Sequence, residues 1–473
     1  MAIQPPDYNL GNVSVSVQLY YGTNDIVADA QTEIAQKAGY PAESYEVVTE
    51  DGYILRLERI TGSKKCPASE NKTAVLLLHG ILDASPKWLV AVPERALGQH
   101  EANEISDGGA LTGTEIAQKA GYPAESYEVV TQDGYILRLD RITGSKKCPP
   151  SENKTAVLLL HGILDASPTW LVAGPEKALG FILADQGYDV WLGNMRGNRY
   201  SRKHLTLTIS CWNEMGIYDV PAMIDHIIEQ TKQEKIFMVS HSQGTTSFFV
   251  MASERPEYQE KLIASFALAP AAFLSRIENP LLQLLATVIG EIYSLSKALG
   301  IYDLEPSDRL MQRIGRQLCR DGSPEQLVCT SFLEILFGSD EKLNTTLFPL
   351  ITQYHPAGAG IKQFAHYGQL IQSGNFRKFD YGLSGNIEIY NDINPPDYNL
   401  GNILLPVYLH YATNDTIADV QDVLELYEVL PNAQKFLVQY DLFAHLDFVW
   451  GEDANTLVYN EVLSLMGAME INY

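Results

Sequence analysis

Two patterns of apolar residues alternate along the chain from residue 114 onward. Short apolar runs bounded by turn-forming residues predict buried strands, and the segments between them have the spacing typical of helices. The predicted buried strands are AVLLLHG (156–162), YDVWLGN (188–194), KIFMVSHSQG (235–244), LIASFALAP (262–270) and LPVYLHYATND (405–415). DGYILRLDRI (133–142) is predicted to be an opening hairpin strand, and KFLVQY (435–440) is a further predicted strand. Strands rich in Val, Leu and Ile that alternate with helices indicate a mostly parallel central sheet with helices on both faces. The sequence therefore predicts an α/β fold.

The strand pattern stops between about residues 271 and 390. Helical spacing dominates there, as in NPLLQLLATVIGEIYSLSKAL (279–299) and TSFLEILFG (330–338). We therefore expect a helical cap inserted into the α/β domain. Its Leu-rich stripes have two interpretations, because such a stripe can line a site for acyl chains or merely pack against the domain beneath it.

A long internal repeat occupies the first part of the chain. Residues 32–98 recur at 114–180 with six differences and a constant offset of 82 residues. A second match relates 5–31 to 395–421, and both of these segments contain PPDYNLGN. The first 113 residues thus consist of a tail piece (1–31), a head piece (32–98) and a polar linker (99–113).

Only the second copy of the head piece can continue into a complete domain. After Gly180 the chain runs on into FILADQGYDVWLGNMRG, an apolar helix face followed by a strand, whereas after Gly98 it enters a polar stretch. We therefore predict one domain over 114–473 and expect the apolar strand of the first copy to stay unpaired. Residues 1–113 are either a regulatory prodomain or the product of fused or misjoined duplicated genes, and the second interpretation is favoured.

Composition places the chain among globular proteins. Of its 473 residues, 46% are hydrophobic and 19% are charged, a balance typical of packed enzymes. The formal net charge of −24 repels phosphate backbones, and no basic stripe offsets it, which argues against nucleic-acid partners. No apolar stretch is long enough for a transmembrane helix, because the longest candidate, 280–290, contains Gln283. The first twenty residues lack the basic start and apolar core of a signal peptide.

The segment Val239 to Gly244, VSHSQG, has the features of a nucleophile elbow. It follows a predicted strand and precedes a predicted helix, and such an elbow holds a serine in a sharp, strained turn flanked by small residues. Gly244 supplies one of these small residues, but Ser240 stands where the G-x-S-x-G pattern has glycine. Ser242 is therefore the predicted nucleophile. The alternative is a serine-rich loop without a catalytic role.

A serine nucleophile needs an imidazole that takes its proton and a carboxylate that orients the imidazole. In α/β-hydrolases the chain order is serine, then acid, then histidine. Asp415 follows a predicted strand at the sheet edge where active-site loops collect, and it is the predicted acid. Asp415 could instead be a turn or cap residue, the role we expect for Asp419 and Asp422.

His445 is the predicted base among the ten histidines of the chain. It lies in DLFAHLDFVW, after the last predicted strand and before a closing helix. Three other histidines fit structural roles better, because His410 lies within strand patterning and both His226 and His366 lie in helical segments.

The third requirement is an oxyanion hole formed by two backbone N–H groups. Gln243 directly follows the nucleophile and supplies the first group. His161-Gly162-Ile163 follows the strand AVLLL, and Gly162 lets the backbone approach a substrate, so Ile163 is predicted to supply the second. The alternative for this segment is an ordinary turn with a glycine.

Several motifs in the correct order resemble the acid lipase family, which comprises gastric and lysosomal acid lipases and their insect relatives. The resemblance covers almost all of 114–473. The motifs that carry it are LLLHGILDASPTW, LADQGYDVWLGNMRGNRYSR, HSQGTTSFF, FALAPAA, YATNDTIADVQDV and AHLDFVW. The family implies an α/β-hydrolase fold, with Ser242, Asp415 and His445 as catalytic residues and Gln243 and Ile163 as oxyanion donors.

The resemblance also implies a substrate class and a location. It implies hydrolysis of triacylglycerols or steryl esters at a lipid–water interface without a metal or other cofactor, a secreted or lysosomal protein, and a cap disulfide between Cys319 and Cys329. The chain departs from the family at Ser240, in its first twenty residues and in the extension 1–113.

Two other functional classes remain open from the sequence. An esterase for small soluble esters would use the same three residues but would need a short, tight pocket. A lipid-binding relative without turnover would result if crowding by Ser240 at the elbow, or the duplicated head piece, abolished catalysis. Metal-dependent hydrolysis has no support, because the chain contains neither H-E-x-x-H nor H-x-x-E-H.

Overall fold

The structure is a computed structural model with two compact units, Met1–Ser106 and Asp107–Tyr473. It describes residues 15–22, 41–48, 54–60, 73–77, 110–204, 211–299, 301–304 and 347–470. Each unit has a sheet of its own.

In the first unit, four described strands form a sheet. They are β1 (Val15–Gly22), β2 (Ala42–Val48), β3 (Ile54–Ile60) and β4 (Thr73–Leu77). Their order in the sheet is β2, β3, β1, β4. β1 runs antiparallel to β3 and parallel to β4. The strand of the tail piece is therefore hydrogen-bonded between two strands of the head piece, and the expectation of an unpaired β4 is wrong.

In the second unit, nine described strands form one sheet. They are β5 (Ala124–Val130), β6 (Tyr135–Ile142), β7 (Ala156–Leu160), β8 (Asp189–Gly193), β9 (Lys203–His204), β10 (Ile236–His241), β11 (Leu262–Leu268), β14 (Val407–Tyr411) and β15 (Ala433–Leu437). Their order is β15, β14, β11, β10, β7, β8, β6, β5, with β9 beside β6. The pairs from β15 through β8 are parallel, whereas β6 pairs antiparallel with β5, β8 and β9. The predicted fold class is confirmed.

The described helices of the second unit are α1 (Gly113–Lys119), α2 (Leu179–Asp185), α3 (Trp212–Glu214), α4 (Val220–Thr231), α5 (Gln243–Glu254), α6 (Pro280–Ala298), α7 (Phe348–Tyr354), α8 (Ile361–Ser373), α9 (Gly382–Tyr390), α10 (Val420–Val429), α11 (Asp447–Trp450) and α12 (Asn460–Glu470). Thr112 caps α1 in a reciprocal capping box with Glu115, which satisfies two backbone N–H groups at the helix start. The second unit thus begins its regular structure just before the boundary predicted at residue 114.

The centre of the sheet is apolar on both faces. Every residue of β7, β8 and β10 is buried, as expected for parallel strands with helices on either side. β5 was not predicted, because its burial pattern is mostly exposed and AESYEVV lacks a continuous apolar run.

β1 occupies the same position in the sheet of the first unit that β8 occupies in the sheet of the second unit. In the second unit, Val190 of β8 lies beside Val157 of β7. In the first unit, Val17 of β1 lies beside Val75 of β4, which is 82 positions before Val157. A tail-piece strand therefore substitutes for β8, because the head piece without its downstream sequence has no strand of its own for that position.

The described part of the cap lies between β11 and β14. It consists of α6 to α9 and a two-stranded ribbon formed by β12 (Asp303–Leu304) and β13 (Ala359–Gly360). α6 packs closely on α8, where Gly368 leaves room for Ile289. Among the described helices, none is long and apolar enough to cross a membrane. Cys319, Cys329 and the segment TSFLEILFG lie outside the described residues.

Candidate active site

The sharp turn between β10 and α5 carries Ser242. This residue has φ 52° and ψ −118°, and its N–H donates to the Leu268 carbonyl at 3.1 Å. A positive φ is strained for a residue with a side chain and is a feature of active-site turns. Gly244 is required two positions later, because a Cβ there would lie 2.5 Å from the Leu160 oxygen and 3.0 Å from the His161 oxygen. The sequence-predicted elbow is therefore present.

Ser240 lies inside the last part of β10, where it is fully buried between Leu160 of β7 and Ala267 of β11. Its Oγ has no hydrogen-bond partner in the described part of the chain. A buried hydroxyl without a partner costs about 1–3 kcal/mol. The serine is thus small enough for the elbow geometry, but its hydroxyl is a source of destabilisation.

The imidazole of His445 lies between Ser242 and Asp415. Its Nε2 is 2.8 Å from the Oγ of Ser242, and its Nδ1 is 2.8 Å from Oδ2 and 3.0 Å from Oδ1 of Asp415. All three side chains are buried. A serine hydroxyl, an imidazole and a carboxylate in this order can activate the hydroxyl as a nucleophile.

Asp415 is held in place by the loop that follows β14. Its Oδ1 accepts hydrogen bonds from the backbone N–H groups of Ile417 and Ala418, both at 2.9 Å. Burial raises the pKa of Asp415, but the charge and hydrogen bond of His445, together with the two backbone donors, outweigh burial and leave this pKa below its usual value. The carboxylate is therefore ionised and correctly placed to orient an imidazole.

The segment after β7 lies against the elbow. A Cβ on Gly162 would lie 3.2 Å from the Cβ of Ser242, which shows how closely the two backbones approach. Ile163 and Leu164 line the same cavity as Ser242, and Leu164 has φ 62°. Gln243 begins α5, so its N–H belongs to the unpaired first turn of that helix.

Hydrogen bonds of the His161 side chain hold the segment after β7 in place. Its Nδ1 donates to the Gly162 carbonyl at 2.8 Å, and its Nε2 accepts from the Met195 N–H and the Asn198 amide, both at 3.1 Å. Burial lowers the pKa of His161 and keeps the ring neutral, which these two accepted bonds require. His161 was not predicted as a functional residue, although its position directly after a buried strand is a usable signal.

A cavity of about 260 Å³ opens above Ser242. Its walls are mainly apolar, and the cap helices α6 and α8 form part of them. The cap residues that line it include Leu282, Leu285, Ala286, Ile289, Phe364, Tyr367 and Ile371. One face of α6 therefore contributes to the site, and the cap is more than a cover packed on the domain.

The cap is also hydrogen-bonded to the elbow helix. The side-chain amide of Gln243 donates to Oε1 of Gln363 at 3.0 Å, and the Tyr367 hydroxyl lies 2.9 Å from the Oγ1 of Thr246. Gln363 and Tyr367 are one turn apart on α8, so this helix fixes the first turn of α5. The contact between Gln243 and Gln363 was not predicted, because it joins residues 120 positions apart.

Two family models match the chain. One, a partial α/β-hydrolase lipase region, covers residues 31–92 and again 113–174, and the other, the α/β hydrolase fold, covers residues 155–298. Lipase 3 of Drosophila melanogaster is 42% identical over 375 residues, which are 77% of this chain and 94% of that protein. The chain belongs to this lipase family.

Two vertebrate lipases are also similar to this lipase-family chain. Gastric triacylglycerol lipase of Rattus norvegicus is 38% identical over 360 residues, which are 73% of this chain and 89% of that protein. Lysosomal acid lipase/cholesteryl ester hydrolase of Homo sapiens is 36% identical over 365 residues, which are 75% of this chain and 90% of that protein. The family predicted from the motifs is therefore confirmed.

Three of the other described histidines, His226, His366 and His410, lie in structural positions. His410 is buried in β14 and stacked on Phe436, and burial lowers its pKa to about 3. His366 is buried on α8, where its Nε2 donates to the Arg377 carbonyl and its ring stacks on Trp212. His226 lies on α4, as expected from its helical segment.

The two acidic neighbours of Asp415 have different roles. Asp419 caps α10 by accepting from the N–H groups of Gln421 and Asp422, as predicted. The prediction for Asp422 as a turn or cap residue is wrong. Asp422 lies within α10, where its buried carboxylate accepts from the side chain of Arg276 at 2.6 Å.

Proposed function

We propose that this chain hydrolyses lipid esters, triacylglycerols or steryl esters, through an acyl-enzyme formed on Ser242. The observation that supports it best is the continuous hydrogen-bond chain from Ser242 through His445 to Asp415 beneath an apolar cavity. Membership of the lipase family supports the same reaction.

In the proposed reaction, Nε2 of His445 takes the proton from Ser242 as the Oγ attacks the ester carbonyl. Asp415 holds the imidazole in the tautomer that can accept this proton and stabilises the resulting imidazolium. His445 then gives the proton to the leaving alcohol. A water molecule repeats these steps on the acyl-enzyme and releases the fatty acid.

The negative oxygen of the tetrahedral intermediates needs two donors. We assign this role to the backbone N–H groups of Gln243 and Ile163. Gln243 supports it because its N–H is in the free first turn of α5, and Ile163 because it lines the cavity directly after Gly162. Removal of one such donor typically costs about 10²–10³ in kcat.

Lipid esters are preferred over small esters because of the lining of the cavity. The side chains from α6 and α8 offer an acyl chain an apolar surface, and each buried methylene contributes roughly 0.8 kcal/mol. Exposed apolar residues on the outer face of α6, such as Leu284 and Leu295, fit action at a lipid–water interface.

The substrate class is tested with a series of glycerol esters and p-nitrophenyl esters that differ only in acyl length, together with cholesteryl oleate. We expect kcat/KM to rise from acetyl to long acyl chains in the wild-type protein and to be lost in Ser242→Ala. A maximum at acetyl would favour the small-ester esterase. No hydrolysis of any ester, with a folded protein, would favour a lipid-binding relative.

A secreted or lysosomal location is part of the proposal. Gastric and lysosomal lipases are among the relatives, and Asn153, in an N-x-S/T sequence, is exposed. The cap disulfide between Cys319 and Cys329 stays a prediction from the resemblance. A loss of mass on treatment with an N-glycosidase would support passage through the secretory pathway.

A further inference from the structure

We infer that His241 is a positioning residue that holds the backbone of His445 against the elbow, an inference that rests on the proposed function. His241 is the last residue of β10 and directly precedes Ser242. Its side chain is buried, and its Nε2 lies 2.9 Å from the backbone carbonyl oxygen of His445. One hydrogen bond therefore joins the neighbour of the nucleophile to the residue that carries the base.

This contact fixes the tautomer of His241. A carbonyl oxygen can only accept, so Nε2 carries the hydrogen and Nδ1 is an acceptor. Nδ1 has no hydrogen-bond partner in the described part of the chain, and it faces Gly162, whose Cβ position would be 3.3 Å away. The ring thus fills the space between the segment after β7 and the loop of His445.

His241 is neutral at pH values above its lowered pKa. Burial, and then the nearby charge of His445, lower its pKa to about 3. The two rings have centroids 4.9 Å apart, so a second positive charge there would oppose the imidazolium that His445 forms during catalysis. A neutral His241 keeps its donor without that repulsion. Asp165 and Asp415 are the carboxylates whose charges act on it.

The hydrogen bond from His241 to His445 joins two segments that are far apart in the chain. The His445 loop and the elbow are 203 residues apart, and the reacting atoms must stay within hydrogen-bond distance of each other. A misplacement of about 1 Å in such a site can cost roughly 10²-fold in rate. Without the donor from His241, the carbonyl of His445 would lose a contact that draws the loop toward Ser242.

The test compares two polar substitutions that differ in reach. His241→Gln places an amide N–H near the position of Nε2, whereas His241→Asn places one near Nδ1. We expect His241→Gln to retain kcat within about threefold of wild type and His241→Asn to lose on the order of 10–100-fold in kcat. KM should change less than kcat, because the apolar surface offered to the acyl chain comes from cap residues such as Phe364 and Ile371.

His410→Asn is the matched control. His410 is also a buried neutral histidine next to an aromatic ring, but it lies in β14, which β11 separates from the elbow strand β10. We expect wild-type kcat for this variant when it is folded.

The outcomes separate the inference from the proposed function. Equal kcat for His241→Gln and His241→Asn, whether both are active or both are impaired, would overturn the positioning role. Absence of ester hydrolysis by the wild-type protein would instead refute the proposed function. Phosphonylation rates of Ser242 in both variants give a second readout that needs no turnover.

Discussion

The Oγ of Ser242 and the Nε2 of His445 lie 2.8 Å apart, although the two residues are separated by 203 positions in the chain. The contact depends on two loops at the same edge of the sheet, one after β10 and one after β15. Because carboxyl ends of parallel strands meet at one edge, the α/β fold brings these distant segments together. Ser242 and His445 both line the cavity beneath the cap, where the proposed ester hydrolysis takes place.

Ser240→Gly should leave activity unchanged or raise it. The substitution removes a buried hydroxyl without a partner, which is favourable, and adds flexibility to the unfolded chain, which costs about 0.5–1 kcal/mol. Thermal unfolding and kcat are the measurements. Ser265→Gly is the control, because Ser265 in β11 is equally buried and its Oγ also lacks a described partner. A large loss of kcat specific to Ser240→Gly would contradict the account of the elbow.

Asp415→Asn should lower kcat by roughly 10³–10⁴-fold with a folded protein, because the amide leaves His445 in the wrong tautomer. Asp419→Asn is the control, since asparagine caps a helix as well as aspartate. An unchanged rate in Asp415→Asn would exclude Asp415 as the acid.

The pH dependence of stability follows from the lowered pKa of Asp415. A carboxyl group whose pKa is lower in the folded than in the unfolded state stabilises the fold above its unfolded pKa, and this contribution is lost as the pH falls through the folded pKa. The wild-type protein should therefore lose more stability than Asp415→Asn on acidification below the ordinary carboxyl pKa. Parallel stability curves for the two proteins would contradict this.

Gly162→Ala should reduce kcat by at least tenfold. Its new methyl group would lie 3.2 Å from the Cβ of Ser242 and 3.3 Å from the Nδ1 of His241, so the backbone that carries the proposed oxyanion donor must move. Gly467→Ala in α12 is the control, because its Cβ would enter open space. Equal kinetics for the two alanine variants would refute the close approach at Gly162.

Removal of the first unit should leave an active enzyme. The structure indicates that the shortened protein should keep Thr112. This residue caps α1, and loss of the cap lowers the free energy of unfolding by about 1 kcal/mol. We therefore expect proteins lacking residues 1–106 and 1–113 both to be active, the second with a slightly lower Tm. The full chain should be less soluble, since β4 is an apolar edge strand of its sheet. Inactivity of both shortened proteins would make the first unit a structural part of the enzyme.

The sequence predicted the elements whose physical causes are local. The buried parallel strands are continuous apolar runs, and Ser242 and Asp415 each follow such a strand, β10 and β14. His445 follows the mostly exposed edge strand β15, and the chain order of serine, acid and histidine identified it. Long-range contacts were not predictable in the same way. Asp422 is held by Arg276, 146 positions away, and no local pattern distinguishes it from a helix cap.

The first unit gives a second example of this limit. The repeat identified β4 as a copy of β7, but the partner of β4 could not be inferred from the repeat alone. A strand with the sequence of the tail piece takes the place of β8, because pairing depends on register and on the available edge as well as on strand sequence.

The central claim is that His445 and Asp415 activate Ser242, and a fluorophosphonate probe that reacts only with activated serines tests it most directly. The wild-type protein, Ser242→Ala and Asp415→Asn are labelled in parallel and the modified peptide is located by mass spectrometry. The account predicts one label on Ser242, no label in Ser242→Ala and much slower labelling in Asp415→Asn. Labelling of Ser242→Ala at the wild-type rate, or a label on another serine of the wild-type protein, would contradict it.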